Sequence, residues 1–424
     1  MGNVIYAISQ WGILVVLAKV GTPEMVGQFA LGLAITAPII LFANLSLRAV
    51  QATDARHEFQ LGNYVGLRVI TTLSALVVIG GVSLVGGYRT ETVPVIIVIG
   101  LAKAFESMSD VLYGQLQQRE RMDRIAISMI IKGVLTLVVL AVSVFITHSA
   151  VGAALALALT WAGVLITYDT RSAALLSGEP QRQMNGQQLK PIWDRAILRH
   201  LVILALPLGF TQMLVSLNTN VPRYFIERLW GERELGFFAA IAYLMLAGNT
   251  VIGALGQAAT PRLAQYYAHS DEKAFRHLLG RLFLIGAGLG VIGIVVAVLI
   301  GQPLLNLIYG SEYASYTQVL HVIMLAAALS YLAAFLGNSM TAARYFRVQV
   351  PVLLACLLTN LLACAILVPA NGILGAAWAI CVTMLVQIVL TMMVIVHALR
   401  RIRNNRLQTS KEPLSHEPIT GKPV

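Results

Sequence analysis

The sequence predicts an all-α polytopic membrane protein, with about 12 transmembrane helices in two pseudo-symmetric six-helix bundles. Three observations predict it: apolar runs recur from end to end, basic residues collect in alternate connections, and the second half repeats the first. Of 424 residues 58% are hydrophobic and 12% charged, and the mean hydropathy is +0.77. A soluble domain carries about twice that charged fraction. A run of about 20 apolar residues crosses the roughly 30 Å of bilayer hydrocarbon. With no water to pair its backbone, such a run must be helical. A strand barrel needs alternating segments of about ten residues, and the sequence has none.

Read in order, the spans fall near 3–19, 25–47, 65–87, 92–113, 125–147 and 149–170, then near 199–221, 234–258, 279–300, 315–338, 348–368 and 372–398. The first could be mistaken for a signal peptide. It has neither a basic lead nor a small-residue cleavage site, so it reads as a span. This divides the chain into an N-terminal bundle (1–171), a polar linker (172–198), a C-terminal bundle (199–398) and a basic tail (399–424). An even number of spans puts both termini on one side. Of the 30 lysines and arginines, the opposite side receives Lys19, Arg89, Arg223, Arg228 and Arg233, while Lys103 and Lys132 lie within spans. The remainder gather on the terminal side, which the positive-inside rule makes cytoplasmic. The same asymmetry accounts for the net charge of +11. A nucleic-acid partner is not expected, because the positive residues are spread over every inner connection.

At a shift of 223 residues, Gly114 falls on Gly337, Arg121 on Arg344 and Arg124 on Arg347. The run Val151-Gly-Ala-Ala-Leu-Ala156 falls on Leu374-Gly-Ala-Ala-Trp-Ala379. A second match, at a shift of 209, sets Gly27-Gln-Phe-Ala30 on Gly236-Phe-Phe-Ala239. Six spans per half is even, so the halves share one orientation about an axis along the membrane normal, and a substrate path is expected between them.

Ionisable groups at membrane depth cost about 2.5–3.5 kcal/mol each on the translocon scale and call for a role. In span four Lys103, Glu106, Asp110 and Gln117 fall on one helix face. Gln212, Ser216, Thr219 and Arg223 do the same in span seven, as do Asn44, Arg48 and Gln51 at the inner end of span two. Ser128, Lys132 and Thr136 form a shorter stripe in span five. These predict a wet cavity whose cationic lining (Lys103, Lys132, Arg48 and Arg223) holds an anionic headgroup. Asn44, Gln212 and Thr219 add polar lining, and Glu106 and Asp110 are the candidates for ion coupling. The bland alternative pairs Lys103 with Glu106 internally and lets Lys132, Arg48 and Arg223 snorkel to the nearest interface.

Other patterns carry less. Gly288-Leu-Gly290-Val-Ile-Gly293 matches a dinucleotide fingerprint but sits mid-span with no preceding strand. Gly286 and Gly290 are better read as a helix-packing face. No Walker-A sequence occurs, so ATP coupling within the chain is not expected. Cys356, Cys364 and Cys381 fit neither a disulfide framework nor a zinc site and read as buried apolar residues. No cofactor and no metal are expected.

Four segments carry a family resemblance. They are Gly21-Thr-Pro-Glu-Met-Val-Gly27-Gln-Phe-Ala30, Gly231-Glu-Arg-Glu-Leu-Gly236-Phe-Phe-Ala239, Pro261-Arg-Leu-Ala264 and Asn371-Gly-Ile-Leu-Gly375-Ala-Ala-Trp-Ala379. With them the whole chain resembles the lipid-linked oligosaccharide (O-antigen or polysaccharide, Wzx-type) flippases of the multidrug/oligosaccharidyl-lipid/polysaccharide exporter superfamily. The resemblance implies two bundles arranged as a V around a cationic cavity, alternating between inward- and outward-open states. It implies a polyprenyl-diphosphate-linked oligosaccharide as substrate, carried from the cytoplasmic to the outer leaflet of a bacterial inner membrane. Membrane lipids, and the polymerase and glycosyltransferase machinery of surface polysaccharide synthesis, would be its partners. Span one begins almost at the initiator methionine, where similar proteins carry a short polar lead, so a late or truncated start is the expectation. Ion-coupled efflux of drugs or other small molecules by the related branch is the alternative, and it needs an anionic cavity. A membrane glycan polymerase or ligase would need a large outer loop, and none exceeds about 15 residues; the chain does not read as an enzyme.

Overall fold

A computed structural model describes residues 2–54, 56, 58–176 and 190–409, with the side chains of 246, 247 and 402–409 left aside. Parts of the expected linker and tail lie outside the described residues. Among those described there are helices and no strand. They are α1 (Gly2–Val20), α2 (Pro23–Asn44), α3 (Leu47–Thr53), α4 (Leu61–Val85), α5 (Thr92–Gln118), α6 (Met122–Thr147) and α7 (Ala150–Val164). A π-helical turn, Leu165–Asp169, leads from α7 into α8 (Thr170–Leu176). Then come α9 (Arg195–Trp230), α10 (Glu232–Tyr243), α11 (Met245–Ala268), α12 (Glu272–Ile308), α13 (Ser311–Ala314), α14 (Thr317–Ala342) and α15 (Phe346–Thr409).

The starts are dictated locally. Thr22 accepts a hydrogen bond from the Met25 amide and is followed by Pro23, whose missing N–H costs nothing in a first turn. Ser149, Asp194 and Asp271 cap α7, α9 and α12 in the same way. Nine helices among the described residues are each long and apolar enough to cross a membrane, and the bent pair α10–α11 makes a tenth crossing. The 27-residue α5 adds another. The last comes from α15, which reverses at Gly372 (φ 58°, ψ −137°) and so supplies two spans. Beside that reversal, a Cβ on Gly375 would strike the Leu367 carbonyl.

The internal repeat is present in the backbone, one residue from the register that the residues suggest. Ser46, Glu120 and His148 have positive φ, and so do Ser270, Arg344 and Gly372, each 224 residues further on. Sequence matching gave 223 because the Arg121–Arg344 pair outweighed the turn geometry, which equates Glu120 with Arg344. Gly87 and Gly310, also at positive φ, keep the 223 spacing.

Within the N-terminal half α1 packs on α6, and α2, α5 and α7 form the centre around Trp161. In the C-terminal half α14 packs against α11, α12 and α15. Gly290 meets the backbone and side chain of Ala328 on α14, and Gly286 faces Phe335, so the glycine pair is a packing face. The three cysteines are free and buried. The two halves meet chiefly along α2, which packs on α9 and α10, whereas α11 packs mainly on α12 and α14 of its own half. Trp11 on α1 donates to the Tyr309 hydroxyl (2.9 Å), which donates to the Ala240 carbonyl (2.9 Å).

The seam is closed at the end with few basic residues. A Cβ on Gly27 would land on the Glu232 carbonyl, and one on Gly236 on the Pro23 carbonyl. α2 and α10 start at Pro23 and Glu232, so these are equivalent positions that touch reciprocally. Only a pseudo-two-fold axis passing between the two glycines produces such contacts.

Candidate functional site

α5 runs through the N-terminal half with its polar stripe facing α1, α3 and α4. Near its middle the Lys103 ammonium donates to Glu106 at 2.8 Å and lies 4.9 Å from the Trp161 ring centroid. Glu106 also accepts from the Tyr6 hydroxyl at 2.9 Å. Both members of the pair keep partial exposure, 21% for Lys103 and 34% for Glu106. One turn on, Asp110 lies between Arg68 (3.2 Å) and Arg48 (3.7 Å). Arg48 also donates to Gln117 at 3.0 Å and lies over the Tyr113 ring. Asn44 accepts from Arg68. The expected stripe of Lys103, Glu106, Asp110 and Gln117 is therefore engaged in two successive clusters, Lys103 with Glu106 and Tyr6, and Asp110 and Gln117 with Arg48 and Arg68, and Arg48 is anchored in the second rather than snorkelling.

Across the seam, Arg223 on α9 donates to the Asn220 side chain at 2.6 Å, and among the described residues it has no carboxylate within ion-pair distance. Tyr243, at the end of α10, is close enough to Arg223 and Glu106 to interact electrostatically with both. Gln212 and Thr219 are exposed on the same face of α9 as Arg223, whereas Ser216 is buried and bonded to Asn220.

Lys132 is not among them. Its side chain is 3% exposed and donates to Asp169 (2.8 Å), Ser109 (2.6 Å) and Tyr113 (3.0 Å), all in the N-terminal half. Asp169, 0% exposed, also accepts from Ser128. The expected cavity role of Lys132 is thereby corrected: an opposite charge and two hydroxyls already satisfy its three donors. Asp169 escapes a sequence reading because it stands at the end of span six, and the π-helical turn is what carries it onto Lys132.

Arg68 was also hidden. By position it belongs with the inner connection, yet it is 0% exposed inside α4 and holds Asp110. Tyr6 was concealed in the first span, where its phenol reads as interface decoration. With Lys132 and Asp169 cancelling each other, the remaining charged groups along α5 and α9 are four cations (Arg48, Arg68, Lys103 and Arg223), of which Arg68 is enclosed, and two carboxylates (Glu106 and Asp110). The site thus carries an excess of positive charge at membrane depth.

This is the architecture of a multi-pass membrane protein, two bundles of six helices with charged groups on both sides of a seam. The chain belongs to the polysaccharide biosynthesis protein family, whose model matches residues 1–267, and a MatE family model matches residues 207–366. It is 28% identical over 391 residues to the capsular polysaccharide biosynthesis protein CapF of Staphylococcus aureus, which covers 92% of this chain and 95% of that one. Among solved structures it resembles an inward-facing multidrug resistance MATE family transporter of the MOP superfamily (TM-score 0.73, 13% identity, 95% of this chain and 96% of that). It also resembles the lipid II flippase MurJ in an inward closed conformation (TM-score 0.69, 12% identity, 96% and 90%). At such identities the structural likenesses speak for the fold alone.

Proposed function

We propose that the protein flips a polyprenyl-diphosphate-linked oligosaccharide from the cytoplasmic to the outer leaflet, with the sugar-diphosphate headgroup passing between the bundles and the lipid tail staying in the bilayer. The observation that carries this reading is the cation excess around α5 and α9, and above all Arg223, which among the described residues has no carboxylate within ion-pair distance. Two uncompensated positive charges match a diphosphate of about two negative charges; that headgroup would otherwise meet a steep desolvation penalty. Arg223 and Lys103 would hold the diphosphate, with Arg48 and Arg68 nearer the cytoplasmic entrance. Glu106 and Asp110 are the groups to test for ion coupling. On this reading both termini are cytoplasmic and the closed end of the seam faces outward, as the distribution of basic residues requires. An inside-negative potential would favour outward passage of the headgroup by about 2.3 kcal/mol per charge per 100 mV.

The MatE match and the shared fold leave efflux of small molecules as the competing reading. A site with more cations than anions disfavours cationic drugs.

The test is reconstitution into vesicles with a fluorescent polyprenyl-diphosphate glycan, scoring how fast the headgroup leaves one leaflet. Arg223→Gln and Lys103→Gln are expected to slow flipping at least about tenfold, the worth of one charge-assisted hydrogen bond. In cells, Lys103→Ala and Asp110→Ala should abolish polysaccharide export with normal amounts of protein in the membrane. Undiminished flipping by both glutamine variants would remove the headgroup from this site.

A further inference from the structure

A proline inside a helix has no N–H for the carbonyl four residues earlier, and in hydrocarbon no water replaces it. Two such carbonyls are taken up by side chains here. Pro38 in α2 frees the carbonyl of Ala34, a residue 0% exposed, and the Tyr224 hydroxyl of α9 donates to it across the seam at 2.5 Å. Pro222 in α9 frees the carbonyl of Asn218, and the Asn360 amide of α15 donates to it at 2.6 Å within the C-terminal half. The Asn218 amide returns the contact by donating to the Leu353 carbonyl of α15 at 3.1 Å. Arg223 stands directly after that proline, between Asn218 and Tyr224. It is therefore carried by a stretch of α9 with one anchor in each half of the molecule. Nearer the inner end, a Cβ on Gly209 of α9 would strike Leu45 and the Phe42 carbonyl, so α9 also touches the end of α2 below the kinks.

We infer that Tyr224 is a positioning residue: its bond to the carbonyl that Pro38 leaves free holds α9 on α2, and so ties the place of Arg223 to closure of the outer seam. In an unbroken helix the Ala34 carbonyl would already accept from an amide, and a phenol would add only a second, weaker bond. Beside Pro38 that amide is missing and the phenol takes its place. Parting α2 from α9 at the outer end strips both groups of this bond, whereas the clasp between Asn218 and Asn360 keeps α9 on its own half. Arg223 then moves with the C-terminal half, away from Lys103 on the other. This rests on the proposed headgroup reading and adds to it a difference between the two states. Arg223 and Lys103 grip an anionic headgroup together while the outer seam is shut, and their joint hold loosens as it opens.

The experiment uses the full chain with Cys356, Cys364 and Cys381 replaced by alanine and one cysteine introduced at Ala34, or at Leu31, one turn nearer the outer end on the same helix face. A membrane-impermeant thiosulfonate is added outside right-side-out vesicles at neutral pH. Labelling is normalised to a cysteine at the exposed outer position Ser311. Tyr224→Phe, which removes only the hydroxyl, should raise labelling at both positions about tenfold, the worth of one buried hydrogen bond. In a Pro38→Ala background the restored amide satisfies the carbonyl, and the same change should raise labelling less than about twofold. An unchanged rate, or an equal rise in both backgrounds, overturns the bond as the link. Positioning is read separately, by flipping of a fluorescent polyprenyl-diphosphate glycan. Tyr224→Phe should raise the half-saturating concentration about fivefold, part of the worth of a charge-assisted hydrogen bond, and should add nothing to Arg223→Gln. An unshifted half-saturation, or a further rise in the double variant, overturns the positioning role. Labelling needs no substrate, so failure of the headgroup reading would show as undiminished flipping by Arg223→Gln while the labelling result still stood.

Discussion

Lys103 and Lys132 sit on adjacent helices of one bundle, and their surroundings separate them. Lys132 has a buried aspartate and two hydroxyls on its three donors, so its charge is spent inside the bundle. Lys103 shares a partly exposed glutamate and the face of a tryptophan, and its side chain keeps 21% exposure. From the sequence both are lysines in apolar spans, and nothing local distinguishes them. The deciding residue, Asp169, is 37 positions from Lys132 and reaches it only through the π-helical turn after α7. Lys132→Ala should therefore act on stability: stranding a buried carboxylate costs about 3–5 kcal/mol, visible as a fall in the melting temperature of purified protein. Replacing both partners, Lys132→Met with Asp169→Leu, should recover most of it, since a buried ion pair is often no better than an apolar one. A Lys132→Ala protein that melts like the parent but does not flip would return this residue to the transport path. Outside the spans, Tyr316 donates to Glu234 at 2.9 Å and its phenol is pushed up to about 12, first by burial and then by that carboxylate. Its bond should thus survive any pH below that value, so alkaline titration to pH 10 should leave its absorbance unchanged.

At the scale of elements, the positions of the helices were legible and their joints were not. The apolar runs give nearly every span, because hydrophobic length is a local property. The reversal at Gly372 was placed near 372 by the motif Asn371-Gly-Ile-Leu-Gly375, yet its left-handed backbone is a matter of packing. With φ 58° and ψ −137° it lies where essentially only glycine is comfortable, so Gly372→Ala should cost about 1–3 kcal/mol. A thermal-shift measurement in detergent would read this directly. The pairing of α2 with α10 was half-visible: Gly27 and Gly236 could be matched, but not that the matched residues touch. Gly27→Val is expected to prop the outer seam open, increasing thiol labelling at Ala34→Cys at neutral pH by roughly the tenfold that 1.4 kcal/mol represents. Unchanged labelling would mean that the helices slide instead of parting.

Over the whole molecule the duplication governs what the site can be. Two like-oriented halves make a path between them natural, and intramembrane charges in both halves make it polar. The excess of cations could be counted from the sequence only approximately. By sequence Lys132 belongs to that count and Arg68 to a connection, whereas in the structure Asp169 neutralises Lys132 and Arg68 is wholly enclosed. The two cancel in number and not in meaning, because Arg68 braces Asp110 beside Arg48 while Lys132 is paired with Asp169 inside the bundle. If charge transfer accompanies each turnover, flipping in vesicles should quicken when a potassium gradient makes the cytoplasmic side negative. A rate indifferent to potential would point to a headgroup whose charge is fully compensated in transit, for instance by a co-moving cation.

The paired glycines have a further consequence. Around them the backbone is that of a homodimer, yet the residues equivalent by the repeat are a proline on one side, Pro23, and an acid on the other, Glu232. A fused dimer with identical chemistry at its axis could respond only symmetrically to whatever touches it there. Placing a buried carboxylate on one partner alone breaks that symmetry: at this contact the half that carries Glu232 supplies the acceptor, and the other half supplies the donors Gln28, Thr92 and Arg89.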